Sequence, residues 1–142
     1  MTDIIELSKK FICEIDKKYK IQFAYLFGSQ ATKNATETSD VDLAVYFGCN
    51  YDPLEELFIR GEIIEEGKAF FKKEIDLVSI KGATLLLQYE IIRSGIVIKD
   101  DEITRGDFES LTLREYFDFK YYSDIYDNEL VENIKKDRYF GE

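Results

Sequence analysis

Three short apolar segments constrain the fold of this chain more than any other feature. Each is rich in the aromatic and β-branched residues that favour strands, and they read IQFAYLF (21–27), VDLAVYF (41–47) and EIDLVSI (74–80). Segments with helical periodicity alternate with them, and these are residues 2–19, 53–71 and 83–94, followed by a strand-like GIVIK at 95–99. This alternation predicts a mixed α/β (α+β) fold in which a small mixed sheet is flanked by helices.

The organisation of the chain predicts one domain. Its 142 residues contain no repeat and no linker-like segment, and the sequence from about residue 104 onward is helical in character. We therefore expect a core of about residues 1–100 and a helical C-terminal extension of about residues 101–142.

The cysteines and the N-terminal segment bear on the compartment. Cys13 and Cys49 are far apart and too few for a disulfide framework, which suits a reducing environment. The first twenty residues lack the basic start and apolar core of a signal peptide, and no run approaches the ~18 apolar residues of a membrane span. We expect a cytoplasmic protein without membrane association.

Charge and composition exclude several classes of function. The net charge of −10 argues against direct nucleic-acid binding, which needs a basic surface, but it suits a cation or a basic protein partner. The chain has no histidine, so it cannot form a Ser-His-Asp triad or a histidine metal site. Proton transfer and metal binding are left to carboxylates.

Three aspartates interrupt the apolar strands. Side chains alternate across a strand, so Asp40 and Asp42 are expected on the face opposite Val41, with one face of the sheet forming the core and the other a site. Asp76 interrupts the third strand in the same way. Such residues cost desolvation energy that a divalent cation would offset, and Mg²⁺ prefers oxygen ligands. The alternative is that Asp40 caps the start of a strand or ends one, and that Asp42 and Asp76 are solvent-facing edge residues.

A Gly-Ser pair follows the first strand. Gly28 allows close approach of a phosphate, the Ser29 hydroxyl adds a donor, and backbone N–H groups at the following turn favour anions. A phosphate site beside carboxylates that bind a cation is typical of phosphoryl or nucleotidyl transfer. The sequence contains neither GxxxxGK[ST] nor GxGxxG, the common alternative phosphate-binding motifs.

The segments LFGSQATKNATETSDVDLAV and EIDLV resemble the DNA polymerase beta-like nucleotidyltransferase superfamily. Within it, the chain is similar to the minimal nucleotidyltransferases (MNT), the antitoxins of HEPN/MNT toxin–antitoxin pairs. The resemblance covers residues 21–99 well and implies a polymerase beta-like nucleotidyltransferase core.

The resemblance also implies roles for individual residues. Gly28 and Ser29 would bind the triphosphate of ATP, and Asp40 and Asp42 would hold two Mg²⁺ ions. Asp76 would complete the catalytic metal site and help to deprotonate the attacking hydroxyl.

The chain departs from its relatives directly after Ser29. Many relatives continue with Arg-Ala-Arg-Gly, whereas here the next residues are Gln30, Ala31, Thr32 and Lys33. Lys33 would take part in nucleotide binding as a flexible point charge in place of the arginines.

The function that the resemblance implies is the transfer of AMP from ATP to a tyrosine hydroxyl of a HEPN RNase toxin, in a hetero-oligomer with that toxin. Two alternatives remain open. One is a small-molecule nucleotidyltransferase of the aminoglycoside-modifying kind, which usually needs a larger substrate-binding domain. The other is an antitoxin that neutralises its partner by contact alone.

The C-terminal extension contains the aromatic segment REYFDFKYYSDIY, residues 114–126. Its aromatic side chains are too dense to share a single helical face. They pack on the body of the protein or form an exposed patch, and the surrounding acidic residues would suit a basic partner.

Overall fold

The computed structural model describes residues 3–32 and 39–140, and the side chains of residues 3–32 and 39–136. A short 3₁₀ turn, Gly28–Gln30, follows the first strand. The helices and strands, in chain order, are α1 (Ile4–Tyr19), β1 (Ile21–Phe27), β2 (Val41–Phe47), α2 (Pro53–Phe71), β3 (Ile75–Ser79), α3 (Leu85–Ser94), β4 (Ile96–Lys99) and α4 (Glu102–Phe140).

The four strands form one sheet in the order β3-β2-β1-β4. β1 pairs antiparallel with β2 and with β4, whereas β2 and β3 are parallel. Parallel neighbours need a crossover, and α2 supplies it between β2 and β3. The mixed sheet flanked by helices confirms the predicted fold class.

Side-chain caps determine where the helices begin. The Asp52 carboxylate accepts a 2.9 Å hydrogen bond from the Glu55 amide, and Pro53 occupies the first turn of α2. The Thr84 hydroxyl accepts from the Leu87 amide at the start of α3. These caps satisfy amides that have no partner within the helix.

Both faces of the sheet are covered. The larger core lies between the sheet and helices α1 and α2, and its fully buried members include Ile12, Ile15, Leu26, Leu43, Ile63 and Leu77. A smaller core on the other face consists of Phe23, Tyr25, Ala44, Ile80 and Ile91, with Phe108 of α4 packed against it. The expectation that one face forms the core and the other a site is therefore wrong, because the face of β2 that bears Asp42 also buries Ala44.

Among the side chains that the structure describes, those that anchor helix α4 to the body of the protein lie in its first half. The Tyr25 hydroxyl donates a 2.5 Å hydrogen bond to the Glu109 carboxylate, which also accepts from Arg105 at 3.1 Å. Further along, the Tyr116 ring stacks on Tyr89 of α3 with centroids 3.7 Å apart. No helix in the described ranges has both the length and the apolar character needed to cross a membrane.

Candidate active site

Strand register brings Gly28, Asp42 and Asp76 to one end of the sheet. The antiparallel pair aligns Phe27 with Asp42, so the Gly28 turn at the end of β1 lies beside the start of β2. The parallel pair aligns Asp42 with Asp76, and neighbouring strands lie about 4.8 Å apart. Asp40 is exposed and stands one residue before β2.

The two interpretations of the aspartates can be compared with their positions. Asp42 is half-buried on β2, an interior strand, so its assignment to a solvent-facing edge is wrong. Asp76 is exposed on the edge strand β3, and Asp40 precedes a strand, as that alternative expects. Only Asp42 therefore has a position in the fold that an edge residue would not have.

Gly28 packs directly on Asp42. Its φ of +73° lies in the left-handed region, which L residues adopt at a cost. A Cβ at this position would also overlap the Asp42 carboxylate oxygen. Glycine is thus required here twice, by the backbone conformation and by the carboxylate against it.

The turn after Gly28 is closed by its own backbone. The amides of Ala31 and Thr32 donate to the Gly28 carbonyl at 3.1 and 3.3 Å, and the Gln30 side chain donates to the Ser39 carbonyl at 3.2 Å. Ser29 is half-buried within the turn, where the first amides of a helical turn lack internal acceptors. Lys33 lies outside the described residues.

The electrostatics at this end of the sheet favour a cation. Burial raises the pKa of the Asp42 carboxyl above its ordinary value, and the negative charges of Asp76 and then Asp40 raise it further. A group that resists ionisation for these reasons would be stabilised by a positive charge beside it. Because the donors are carboxylates, they suit a hard divalent cation.

The carboxylates do not form a complete metal cage. Across residues 3–32 and 39–136, no group of three or more His, Cys, Asp or Glu side chains could hold a metal ion by itself. Mg²⁺ usually takes only one or two protein carboxylates and completes its shell with water and substrate phosphates. The donor set fits an ion that is bound together with a nucleotide.

Sequence reasoning did not identify Arg60 of α2. Its guanidinium Nη2 donates to the Leu77 carbonyl at 3.0 Å, one residue beyond Asp76, and its buried Nε has no partner among the described residues. Its only sequence signal is its place as a lone cation in the apolar run LFIRGEII.

A polar cavity of about 370 Å³, lined by Lys20, Gln22 and Asp101 among others, lies at the opposite end of β1 and includes none of the predicted site residues.

Comparisons with known proteins show which family and which solved structures this chain is similar to. The sequence model of the family "Polymerase beta, Nucleotidyltransferase" matches residues 9–104, a range that includes all the predicted site residues. The protein adenylyltransferase MntA of Shewanella oneidensis is 27% identical over 88 residues, covering 59% of this chain and 60% of MntA. Two proteins of Methanocaldococcus jannaschii carry the same activity in their names as a prediction. MJ0435 is 30% identical over 66% of this chain and 96% of its own length, and MJ0126 is 35% identical over 40% and 55%.

Solved structures show the same fold. A crystal structure of a toxin–antitoxin with AMP-PNP aligns with a TM-score of 0.72 at 20% identity, covering 87% of this chain and 98% of that chain. A complex of tri-AMPylated Shewanella oneidensis HEPN toxin with MNT antitoxin aligns with a TM-score of 0.68 at 20% identity, covering 90% and 99%.

The extent of these matches decides what they establish. The chain spans less than two thirds of the length of MJ0126 and of MntA, and the likeness to the solved structures is one of fold. The family model, by contrast, covers more than half of the chain, including both strands that bear the aspartates. The chain belongs to the polymerase beta nucleotidyltransferase family.

Proposed function

We propose that this protein is a Mg²⁺-dependent nucleotidyltransferase antitoxin that transfers AMP from ATP to a tyrosine hydroxyl of a cognate HEPN-type RNase and so silences it. The observation that carries the proposal is the contact between the Gly28 turn and Asp42, at the end of the sheet where Asp76 also lies. A turn that a phosphate can approach stands there against carboxylates that favour a cation. The relative MntA is named a protein adenylyltransferase, and a structural neighbour is a complex of MNT antitoxin with tri-AMPylated HEPN toxin.

Each residue has a role in this proposal. Gly28 and Ser29 hold the triphosphate, while Asp40 and Asp42 hold two Mg²⁺ ions. Bound Mg²⁺ would neutralise the phosphate charge and orient the nucleotide. Asp76 completes the catalytic metal site and, being exposed, can accept the proton of an incoming hydroxyl.

The chemistry is a substitution at the α-phosphorus of ATP. The tyrosine oxygen forms a bond to that phosphorus while the bond to the β-phosphate oxygen breaks, and diphosphate leaves. The tyrosine proton passes to the Asp76 carboxylate or to solvent. Positioning and charge neutralisation supply most of the catalysis in such transfers.

Phosphate binding is the part of the proposal with the fewest cationic groups. The two arginines that follow Gly-Ser in many relatives are absent, and we propose that Lys33 contributes a charge in their place. A Lys33→Ala variant should raise KM for ATP more than it lowers kcat, because a flexible charge contributes mostly to ground-state binding.

The deciding experiment is the intact mass of the proposed partner, a cognate HEPN-type RNase, after incubation with this protein, ATP and Mg²⁺. We expect a gain of one or more AMP units, located on tyrosine by peptide mapping. The Asp40→Asn, Asp42→Asn double variant is the matched control and should leave the mass unchanged. An unmodified partner with the unaltered protein, under conditions where the two bind, would refute the proposed activity.

Neutralisation by contact alone remains the second candidate. The observation that favours it is the unburied distal half of α4, which offers a surface for stable association. Growth rescue by a catalytically inactive variant separates the two modes of neutralisation.

A further inference from the structure

The aromatic segment of α4 divides into a packed part and a free part. Tyr116 stacks on Tyr89, and the Phe117 ring lies 6.2 Å from the same tyrosine in an edge-on arrangement. From Phe117 to Lys136, every side chain is exposed except that of Ser123, which is half-buried. Part of the segment therefore packs on the protein itself, and the remainder is left uncovered by the residues that the structure describes.

The free part carries one apolar face. At 100° per residue, five apolar side chains fall within a sector of about 120° along α4, which we call the distal stripe. Each is between 46% and 68% exposed, and they are Phe119, Tyr122, Tyr126, Leu130 and Ile134. Only Ser123 and Asn133 share the sector, so no charged residue interrupts it over about 22 Å of helix.

The distal stripe continues onto the body of the protein. A cavity of about 220 Å³ is lined by Leu85 and Leu86 of α3 and by Tyr116 and Phe119 of α4. Phe119 belongs both to this cavity and to the stripe. An apolar path thus leads from the anchored part of α4 along its free part, which is the shape that a partner helix fills.

Charge indicates which occupant fits. Residues 115–134 contain six acidic residues and one basic residue, and the whole chain has a net charge of −10. By helical position, Asp118, Glu129 and Lys136 border the stripe on one side, and Asp127 and Lys120 border it on the other. Two copies of this chain joined along the stripe would bring like charges together, whereas a basic partner would be attracted.

We infer that the distal stripe is the docking face for an amphipathic helix of the basic RNase partner. The identity of the partner rests on the proposed function. An enzyme that cleaves RNA needs a cationic surface to bind phosphates, so its positive charge complements the excess of acidic residues along residues 115–134. The stripe provides apolar area for affinity, and its borders provide attraction and register.

A matched pair of double variants on the same helix tests this inference. Tyr126→Ala with Leu130→Ala removes two members of the stripe, while Tyr121→Ala with Ile125→Ala removes an equivalent exposed pair on the opposite side of α4. Binding to the purified HEPN-type RNase of the proposed function is measured by calorimetry without nucleotide. We expect at least a tenfold loss of affinity for the stripe pair and less than a threefold loss for the other. Circular dichroism checks that both retain the helix.

A second double variant tests the electrostatic contribution of the acidic residues beside the stripe. Asp127→Lys with Glu129→Lys should slow association and weaken its dependence on salt, since rim charges act mostly on the on-rate. Equal losses for the two alanine pairs, or no loss for the stripe pair, would overturn the inference. A partner with a net negative charge, or self-association of this protein that the stripe substitutions abolish, would overturn the assigned occupant.

Failure of the docking inference can be distinguished from failure of the proposed activity. The Asp40→Asn, Asp42→Asn protein retains the whole stripe and should bind the RNase with unchanged affinity. Binding without AMP transfer by the unaltered protein would refute the activity and leave the stripe standing. AMP transfer that is insensitive to the stripe substitutions, at partner concentrations below Kd, would refute the docking inference and support the proposed activity.

Discussion

At the scale of single residues, Gly28 offers the sharpest test of the site. Gly28→Ala forces an L residue to a φ of +73° and places a methyl group on the Asp42 carboxylate, so we expect a loss of roughly 1–3 kcal/mol in the free energy of unfolding. The kcat/KM for ATP should fall further than in Ser29→Ala, which retains the backbone donors.

Gly61 provides the control for that substitution. It lies within α2, and a Cβ there meets nothing within 4 Å. Gly61→Ala should raise the free energy of unfolding by roughly 0.5–1 kcal/mol, because alanine has the better helix propensity. If Gly28→Ala unfolds at the same denaturant concentration as the unaltered protein, the close contact with Asp42 is wrong.

Asp42 links the charge of the site to stability. Because burial and two neighbouring carboxylates raise its pKa in the folded protein, its ionised form destabilises the fold at neutral pH, and the penalty disappears as pH falls below its folded pKa. Asp42→Asn should therefore stabilise the metal-free protein at pH 7 but not at pH 3. Denaturant unfolding at the two pH values measures this.

The same variant reports on the cation. Mg²⁺ with a non-hydrolysable ATP analogue should raise the Tm of the unaltered protein and leave that of Asp42→Asn unchanged, since ligands stabilise the state that binds them. An equal shift in both proteins would show that the nucleotide binds without the help of Asp42.

At the scale of elements, the sequence predicted the outline of the fold better than its layers. The bounds of β1, β2 and α2 match the prediction, because a glycine ends β1 and Asp52-Pro53 begins α2. The predicted β3 and α3 each extend beyond the observed elements by one or two residues, where ends are set by local hydrogen bonds.

The second core and the division of the aromatic segment could not be predicted from local sequence patterns. IQFAYLF is apolar at every position except Gln22, which indicates burial on both faces, but the aspartates at 40 and 42 favour an open face instead. Whether Tyr116 packs or is exposed depends on Tyr89, a partner 27 residues away in sequence. Such long-range pairs follow from topology, so periodicity within α4 could not separate them.

The attachment of α4 to β1 predicts a response to alkaline pH. Burial, followed by the hydrogen bond to Glu109, raises the pKa of the Tyr25 phenol above its ordinary value. The folded state therefore favours the neutral phenol, and stability is complete below the unfolded pKa of about 10 and declines as pH rises above it. Tyr25→Phe should reduce that decline.

The control for this prediction is Tyr19, whose phenol pKa is raised to about 12 by its hydrogen bond to Glu62. Both phenols ionise near pH 10 in the unfolded chain and are held neutral through pH 8 to 11 in the folded protein, so Tyr19→Phe should reduce the decline by nearly the same amount. At pH 8, Tyr25→Phe should cost roughly 1–2 kcal/mol, because Glu109 loses a buried donor. Unfolding curves from pH 8 to 11 give the free energy of unfolding at pH 8 and its decline with pH. An unchanged decline in Tyr25→Phe would contradict the hydrogen bond from Tyr25 of β1 to Glu109 of α4.

At the scale of the whole molecule, the site of Asp40, Asp42 and Asp76 and the distal stripe have different roles in the two modes of neutralisation. An enzyme that marks its partner needs the stripe only during encounter, because the covalent product persists after release. A contact inhibitor needs the stripe continuously and does not need the aspartates. Variants in the two regions should therefore fail in different ways if both proposals hold.

We expect the Asp40→Asn, Asp42→Asn protein to bind the RNase but to leave cells unprotected from it, since no AMP is transferred. Tyr126→Ala with Leu130→Ala should slow modification by weakening the encounter, and a higher concentration of the antitoxin should restore protection. Growth and the mass of the partner are read from the same cultures. Rescue by the aspartate variant while the partner remains unmodified would replace the catalytic mode of neutralisation with contact inhibition.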